Sequence, residues 1–119
     1  MSKNALVVKA DLTAELIDIA EQELSKLQAV VDGYIEAVHV KPNIIMWVNE
    51  EGLLREDLAP NHFGSTILSI LSGGEQTLIR GDVVFTGGAD SNGNTLGLTQ
   101  EDVSDITFLA RQATEALSA

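Results

Sequence analysis

Apolar residues in this chain occur in two patterns: short runs rich in valine and isoleucine, and longer segments in which they recur every three or four residues. The short runs are typical of β-strands, because each is bounded by glycine, proline or polar turn residues. Strands are predicted at residues 5–10, 34–40, 44–48 and 81–88. Lys41-Pro42-Asn43 joins the second strand to the third, so these two are predicted to form an antiparallel hairpin.

The longer segments are typical of helices, and each carries a boundary signal. Helices are predicted at residues 21–31, 62–71 and 100–117. Asp32-Gly33 ends the first helix, while Asn61 and Thr99 can cap the second and third through their side-chain oxygens. The apolar face of the second helix is predicted to contain Phe63, Ile67, Ile70 and Leu71, with Ser65 and Ser69 directed away from it. The apolar face of the third is predicted to contain Val103, Ile106, Leu109, Ala110, Ala113, Ala116 and Leu117.

Residues 12–19 fit two patterns. Leu12, Leu16 and Ile19 continue the helical spacing of the segment that follows, which favours one long helix over residues 12–31. The alternative is a strand over residues 14–19 that pairs back onto the first strand, followed by a helix from about residue 21. Periodicity alone favours the long helix.

Length and element order together indicate the fold class. A chain of 119 residues is long enough for one core and too short for two, so residues 1–119 are predicted to be a single domain. Hairpins interleaved with helices predict an α+β fold. We expect a mostly antiparallel or mixed sheet of about five strands with two or three helices packed on it.

Composition narrows the class of partners. Eighteen Asp and Glu residues against seven Lys and Arg give a formal net charge of −11. This charge repels nucleic-acid phosphates and anionic membranes, so direct binding to either is not expected. The chain has no cysteine, and no apolar stretch with the length of a secretory signal or a membrane span, which predicts a cytoplasmic location. The acidity also admits a sharper hypothesis, that the surface mimics DNA and inhibits a host nucleic-acid enzyme.

The middle of the chain carries a series of short motifs in a fixed order. They are Leu27-Gln28-Ala29-Val30-Val31-Asp32-Gly33-Tyr34-Ile35-Glu36-Ala37-Val38, Val48-Asn49-Glu50-Glu51-Gly52-Leu53, Pro60-Asn61, Gly81-Asp82-Val83-Val84 with Thr86-Gly87, and Leu98-Thr99. This series resembles a family of small domains of unknown function encoded by actinobacteria and their phages. The chain departs from the family pattern at Asp32, where glycine is usual, and at Gly64-Ser65.

The resemblance has two implications. It implies a β-hairpin before the first helix, which favours a strand for residues 12–19. It also implies a phage or mobile-element accessory protein, which would act in the host cytosol, but it supplies no activity.

The start of the second helix is the candidate ligand site. Helix N-termini attract anions because their first N–H groups are unpaired and the helix dipole is positive there. Asn61 and His62 at this start, together with Arg80 and Arg55, are therefore candidates to bind a small anionic ligand. The simpler interpretation is an N-cap beside two solvated arginines.

Other groups of residues give weaker indications of a functional site. Asp90, Asn92, Asn94 and Glu101 have the spacing of a calcium-binding loop, but Thr95 stands where that loop needs glycine, so a polar turn is predicted and no metal. No motif predicts a cofactor. Phe108 projects opposite the apolar stripe of the third helix, which makes it a candidate anchor for a partner or for a second copy of the chain.

The function expected from these observations is binding. We expect a non-enzymatic phage or mobile-element accessory protein that binds a host component, either a regulatory or defence protein or a small anionic signalling ligand. One alternative is the DNA mimic. The other is a small enzyme that uses Glu36 and Asn49 on neighbouring strands.

Overall fold

The computed structural model describes residues 3–71, 73 and 78–118, and its five strands form one antiparallel sheet with helices on both faces. The strands are β1 (Asn4–Val8), β2 (Ala14–Asp18), β3 (Ile35–Lys41), β4 (Ile44–Asn49) and β5 (Val83–Gly87). The helices are α1 (Glu23–Val31), α2 (His62–Leu71) and α3 (Gln100–Ser118). The predicted α+β fold is confirmed. Within the described ranges, no helix is long and apolar enough to cross a membrane.

The last strand of the sequence lies in the centre of the sheet. The strand order is β2-β1-β5-β4-β3, so β5 joins the β1–β2 hairpin to the β3–β4 hairpin. It pairs antiparallel with β1 through Val84 and with β4 through Phe85 and Thr86. All five residues of β5 are buried, as expected for a strand covered on both faces.

Residues 14–18 form a strand, so the long helix that periodicity favoured is wrong. The alternative of a strand that pairs back onto the first strand, which the resemblance also favoured, is right. β2 pairs with β1 in a register that places Leu16 opposite Leu6. A tight turn precedes it: Asp11 Oδ1 accepts hydrogen bonds from the Thr13 N–H and hydroxyl, and Leu12 has a positive φ of 73°. A helix cannot continue through such a residue, so local turn chemistry overrides the spacing of the leucines.

The sheet separates two clusters of buried side chains. On one face α1 packs over β1, β4 and β5, and the cluster consists of Ala5, Val7, Ile19, Leu27, Val31 and Val84. On the other face lie α2 and α3, and the larger cluster consists of Leu6, Val8, Ile44, Met46, Val48, Phe63, Ile79, Val83, Phe85, Leu98, Ile106 and Ala110. Burial of both clusters supplies the main driving force for this fold.

The helix faces differ in part from the predicted ones. In α2, Ile70 is 72% exposed and Leu71 is also exposed, whereas Ser65, predicted to point away, accepts a 2.8 Å hydrogen bond from the Ile79 N–H. The reason is Gly64, where a Cβ would lie 3.2 Å from Ile79 Cγ2: the missing side chain lets this side of α2 pack closest to the core.

In α3, Ile106 and Ala110 are buried as predicted, but Leu109 is 49% exposed. The predicted positions Ala113, Ala116 and Leu117 lie outside the described side chains. Thr99 caps α3 as predicted, because its Oγ1 accepts a hydrogen bond from the Asp102 N–H.

Helix α1 ends in a left-handed residue. Asp32 has φ 60° and ψ 47°, a conformation that glycine adopts without strain and that aspartate tolerates better than most residues. The adjacent Gly33 is required for a different reason, since a Cβ there would lie 2.8 Å from Asn49 Nδ2. The exit from α1 is thus held close to the end of β4.

Asn61 is fully buried and connects three parts of the backbone. Its Oδ1 accepts a 3.0 Å hydrogen bond from the Gly64 N–H, which confirms the predicted cap of α2. Its Nδ2 donates to the carbonyls of Val8, at the end of β1, and Gly81, just before β5. The side chain therefore acts as a cap and as a tie between strands.

Replacing Asn61 tests this double role. Asn61→Ala removes the cap and leaves two buried carbonyls without their donor, so we expect the free energy of unfolding to fall by about 2–4 kcal/mol. Asn61→Asp retains an acceptor for the cap but places a carboxylate against the Val8 and Gly81 carbonyls, and should be at least as destabilising. Chemical denaturation measures both changes.

Thr99→Asp is the matched control, because Thr99 is an exposed cap whose only described side-chain bond is to the Asp102 N–H. It should change the stability by no more than about 0.5 kcal/mol. If Asn61→Asp kept the stability of the wild type, the role of the Asn61 amide as a tie between the strands would be contradicted.

Candidate functional site

A cleft of about 370 Å³ opens on the sheet face that carries α2, next to the start of β3 and the end of β4. Its walls come from these strands, from the loop after β4, from α2 and from the segment that precedes β5. The lining residues are Glu36, Val48, Asn49, Glu50, Glu51, Gly52, Leu54, Leu68, Leu78, Ile79 and Arg80. Its volume lies in the range of pockets that hold small ligands or a few side chains.

The cleft combines an apolar floor with charged edges. Val48 and Ile79 belong to the buried core, and Leu68 packs against it from α2. Glu36, Glu50 and Glu51 are exposed. Among the described residues none of these three carboxylates is in a salt bridge. The lining therefore presents three carboxylates against one guanidinium.

That guanidinium belongs to Arg80, which is only partly exposed. Its Nη1 donates a 3.1 Å hydrogen bond to the Leu58 carbonyl, and its Nε is enclosed without a hydrogen-bond partner in the described part of the chain. A guanidinium has five N–H donors, so this side chain keeps donor capacity that the described residues do not use.

The structure brings Arg80 next to the start of α2, as the candidate site requires. Arg80 and Pro60 form an isolated antiparallel bridge, and the Asn61 N–H donates to the Ile79 carbonyl. The Asn61 side chain is taken up by its three backbone bonds. His62 is exposed at the first position of α2 and does not line the cleft. Of the four predicted ligand residues, Arg80 alone lines the cleft.

Arg55 has a separate set of partners. Its Nη2 donates to Asp32 Oδ2 and Asp57 Oδ2, each at 2.8 Å, and its Nη1 donates to the Asp32 carbonyl at 3.0 Å. The hydrogen bonds that Arg55 donates to Asp57, and then those to Asp32, raise the pKa of Arg55 above its ordinary value. In this structure Arg55 therefore holds the end of α1, where its charge also suits the negative pole of the helix dipole.

Glu36 and Asn49, the pair considered for an enzyme, both line the cleft. The register pairs Glu36 with Val48 and Ile35 with Asn49, so the two residues occupy positions that face opposite sides of the sheet. Asn49 is buried, donates to the Val31 and Asp32 carbonyls, and accepts a 2.7 Å bond from the Glu51 N–H. Its amide is thus used to hold the end of α1, as Asn61 holds the start of α2.

The polar loop at residues 90–94 forms a turn. Asp90 Oδ1 accepts hydrogen bonds from the backbone N–H groups of Asn92 and Asn94. These bonds, chiefly the one from Asn94, lower the pKa of Asp90. Within the described residues, no three His, Asp or Glu side chains are grouped as metal ligands would be.

Phe108 is 60% exposed on α3, next to the half-exposed Leu109. Its exposure agrees with its position opposite the predicted apolar stripe. The two side chains place more apolar surface on this helix than the sequence pattern indicated. The role of Phe108 as an anchor stays a prediction.

Sequence reasoning missed most of the cleft. The sequence pattern predicts no site role for Glu50, Glu51, Leu54, Leu68 or Leu78. One signal was present: the two adjacent glutamates are followed by Gly52, Leu53 and Leu54, so charged and apolar residues share one short loop. This loop lines the same cleft as α2 and residues 78–80, and no local sequence pattern reveals such a long-range arrangement.

Comparison with known proteins gives one match. A family model described as Domain of unknown function (DUF3846) matches residues 1–111 of the chain. No curated protein and no solved structure matches.

The Arg55 cluster predicts a pH dependence of stability. The hydrogen bond from Arg55 lowers the pKa of Asp57 below its ordinary value of 3.8. A carboxylate with a lowered folded-state pKa stabilises the fold above its unfolded pKa, and this contribution is lost as the pH falls through the folded value. The difference in unfolding free energy between wild type and Asp57→Asn should therefore be constant from about pH 5 to 7 and vanish on acidification below 3.8.

Denaturation series at several pH values measure this difference. Glu56→Gln, at the neighbouring exposed carboxylate, is the control for the loss of one negative charge. A difference that grows on acidification would contradict the assignment.

Phe108 gives a second prediction. If it anchors self-association, Phe108→Ser should lower the associated fraction measured by light scattering. The free energy of unfolding should stay within about 0.5 kcal/mol of wild type, because an exposed side chain contributes little to the core. Leu24→Ser, at another exposed apolar side chain, is the control. A wild type that is monomeric at high concentration excludes the self-association role.

Proposed function

The chain belongs to the DUF3846 family, and we propose that it is a non-enzymatic accessory protein of a phage or mobile element that binds a host component in the cleft. The observation that supports this proposal best is the cleft itself. It is formed by two strands, a helix and two connecting segments. It has an apolar floor, and its edges carry charged groups that the described residues leave without ion-pair partners. These are the general properties of binding sites.

The hydrogen bonds and positions of the polar side chains around the cleft favour binding over catalysis. The amides of Asn49 and Asn61 are used by backbone groups, so neither is positioned to act on a substrate. Glu36 does not share a sheet face with Asn49. General acid–base catalysis needs a group within hydrogen-bond reach of the proton that it transfers, held by a second group. The described contacts supply no such holding group for Glu36.

The cleft favours a host protein over a small anion as the component bound. Three carboxylates line the cleft, and the chain has a net charge of −11. Both would repel an anion that approaches Arg80. The hypothesis of a DNA mimic rests on net charge alone, whereas binding in the cleft also has a shaped surface to support it. We therefore place the regulatory or defence protein of the host first, and the small anionic signalling ligand at Arg80 second.

Exposed leucines of the cleft provide the test. Leu54 is 83% exposed and Leu78 is 37% exposed, so the double variant Leu54→Ser with Leu78→Ser should fold normally while it loses apolar contact area. In affinity purification from a host lysate followed by mass spectrometry, we expect a host protein that is retained by wild type to be depleted at least tenfold with this variant.

The matched control is Leu16→Ser with Leu24→Ser, since these leucines are also exposed and lie outside the cleft. The control should retain the partner. A partner retained equally by all three proteins would exclude the cleft. For the second component, a panel of nucleotides in a thermal-shift assay is compared between wild type, Arg80→Ala and Arg55→Ala; stabilisation that is lost only in Arg80→Ala would favour the anionic ligand.

A further inference from the structure

The carboxylates of the cleft are placed for an external cation. Glu36 lies on the edge strand β3, while Glu50 and Glu51 lie on the loop after β4, so the rim is negative at two places. In the described part of the chain no Lys or Arg forms a salt bridge with them, although Lys3, Lys9 and Arg55 each have a carboxylate partner elsewhere. The three glutamates are therefore available for a positive charge brought by a partner.

The floor requires apolar contact from the same partner. Val48, Leu68 and Ile79 form the inner surface, and Leu54 and Leu78 extend it outward. Leu71 lies one helical turn after Leu68 and is 44% exposed, so the apolar surface continues along α2 beyond the cleft. A small organic cation would cover only part of this surface.

Arg80 adds donors to the same wall. One of its N–H groups is given to the Leu58 carbonyl, and no described carboxylate neutralises its charge. Donors of a guanidinium suit carbonyl or carboxylate oxygens. A polypeptide offers all three features together, because it carries backbone carbonyls, apolar side chains and basic side chains.

We propose that the cleft binds a short segment of a partner protein in which a lysine or arginine is flanked by apolar residues, with the basic side chain among Glu36, Glu50 and Glu51 and the apolar side chains on the leucine floor. This inference rests on the proposed function and specifies its partner. A second copy of this chain is a poor occupant, since two molecules of charge −11 repel each other. Charge complementarity selects a basic segment and would also speed its association.

A displayed library of random dodecapeptides tests the chemistry of the occupant directly. Selection uses the full chain as bait, with counter-selection on the variant Leu54→Ser with Leu78→Ser. We expect the enriched peptides to carry Lys or Arg next to Leu, Ile, Val or Phe. Enrichment of acidic or purely apolar peptides would overturn the inference.

The contribution of the carboxylates is then measured with one enriched peptide by fluorescence anisotropy. Replacing Glu36, Glu50 and Glu51 together by glutamine should weaken binding about tenfold, since each of the three exposed carboxylates contributes a modest attraction. Added salt should weaken binding to wild type more than binding to this variant.

The control changes net charge equally but away from the cleft. Glu21, Glu101 and Glu115 are exposed, and replacing all three by glutamine should alter the affinity no more than about twofold. Equal weakening by both triple variants would show long-range attraction only and would overturn the inference. Spermidine is titrated in parallel, and spermidine binding that is tighter than peptide binding and is lost in the cleft triple variant would replace the peptide by a small cation.

The outcomes separate this inference from the proposed function. Loss of a host partner in the leucine variant, together with indifference to the glutamate substitutions, would keep the cleft as the site and reject the basic segment. A host partner retained by the leucine variant, with no cleft-dependent peptide from the library, would reject both.

Discussion

The side-chain amide of Asn61 is the interaction on which the arrangement of α2, β1 and β5 depends. From one buried position it accepts a bond from the first turn of α2. It also donates bonds to the carbonyl of Val8, at the end of β1, and to the carbonyl of Gly81, shortly before the central strand begins. Unpaired backbone groups at these points would be buried, and each would be destabilising. Asn49 has a similar role at the end of α1, where it donates to the carbonyls of Val31 and Asp32. Two asparagines thus fix where helices start and stop relative to the sheet.

The position of the cleft follows from these two ties. The loop that carries Glu50, Glu51 and Leu54 leaves directly from Asn49, and α2, which carries Leu68, leaves directly from Asn61. The segment of Ile79 and Arg80 runs antiparallel to residues 59–61. Side chains that line the cleft are therefore carried by backbone that is anchored at three points. Such preorganisation reduces the conformational entropy lost on binding.

The fold was largely predictable from the sequence because most of its signals are local. The β3–β4 hairpin follows from its turn, and α2 and α3 follow from periodicity and caps. Residues 14–18 were ambiguous, since leucine spacing suited a helix while the Asp11–Thr13 turn required a strand. The rotation of α2 was mispredicted because Gly64 and Ser65 face the core by virtue of close contact with Ile79, a residue distant in sequence.

The candidate site was harder to predict for the same reason. Arg80 was identified from charge scarcity, whereas the cleft around it combines residues from four separate segments. The motifs that carried the family resemblance turn out to include structural ties: besides the two asparagines, Asp82 accepts a hydrogen bond from the Ala10 N–H. The sequence motifs in this chain thus include residues that support the backbone as well as residues that line the cleft, such as Glu36, Glu50 and Glu51.

The central location of β5 has a consequence for how the chain is made. During synthesis the β1–β2 and β3–β4 hairpins leave the ribosome well before residues 83–87, yet neither can join the other until this strand is inserted between them. The nascent chain therefore holds two incomplete half-sheets, each with an open edge and apolar residues that lack a cover. Closure comes late and through contacts between distant segments, which is slow compared with local folding. The strong negative charge of the chain would reduce association between such incompletely folded chains until β5 joins the two hairpins.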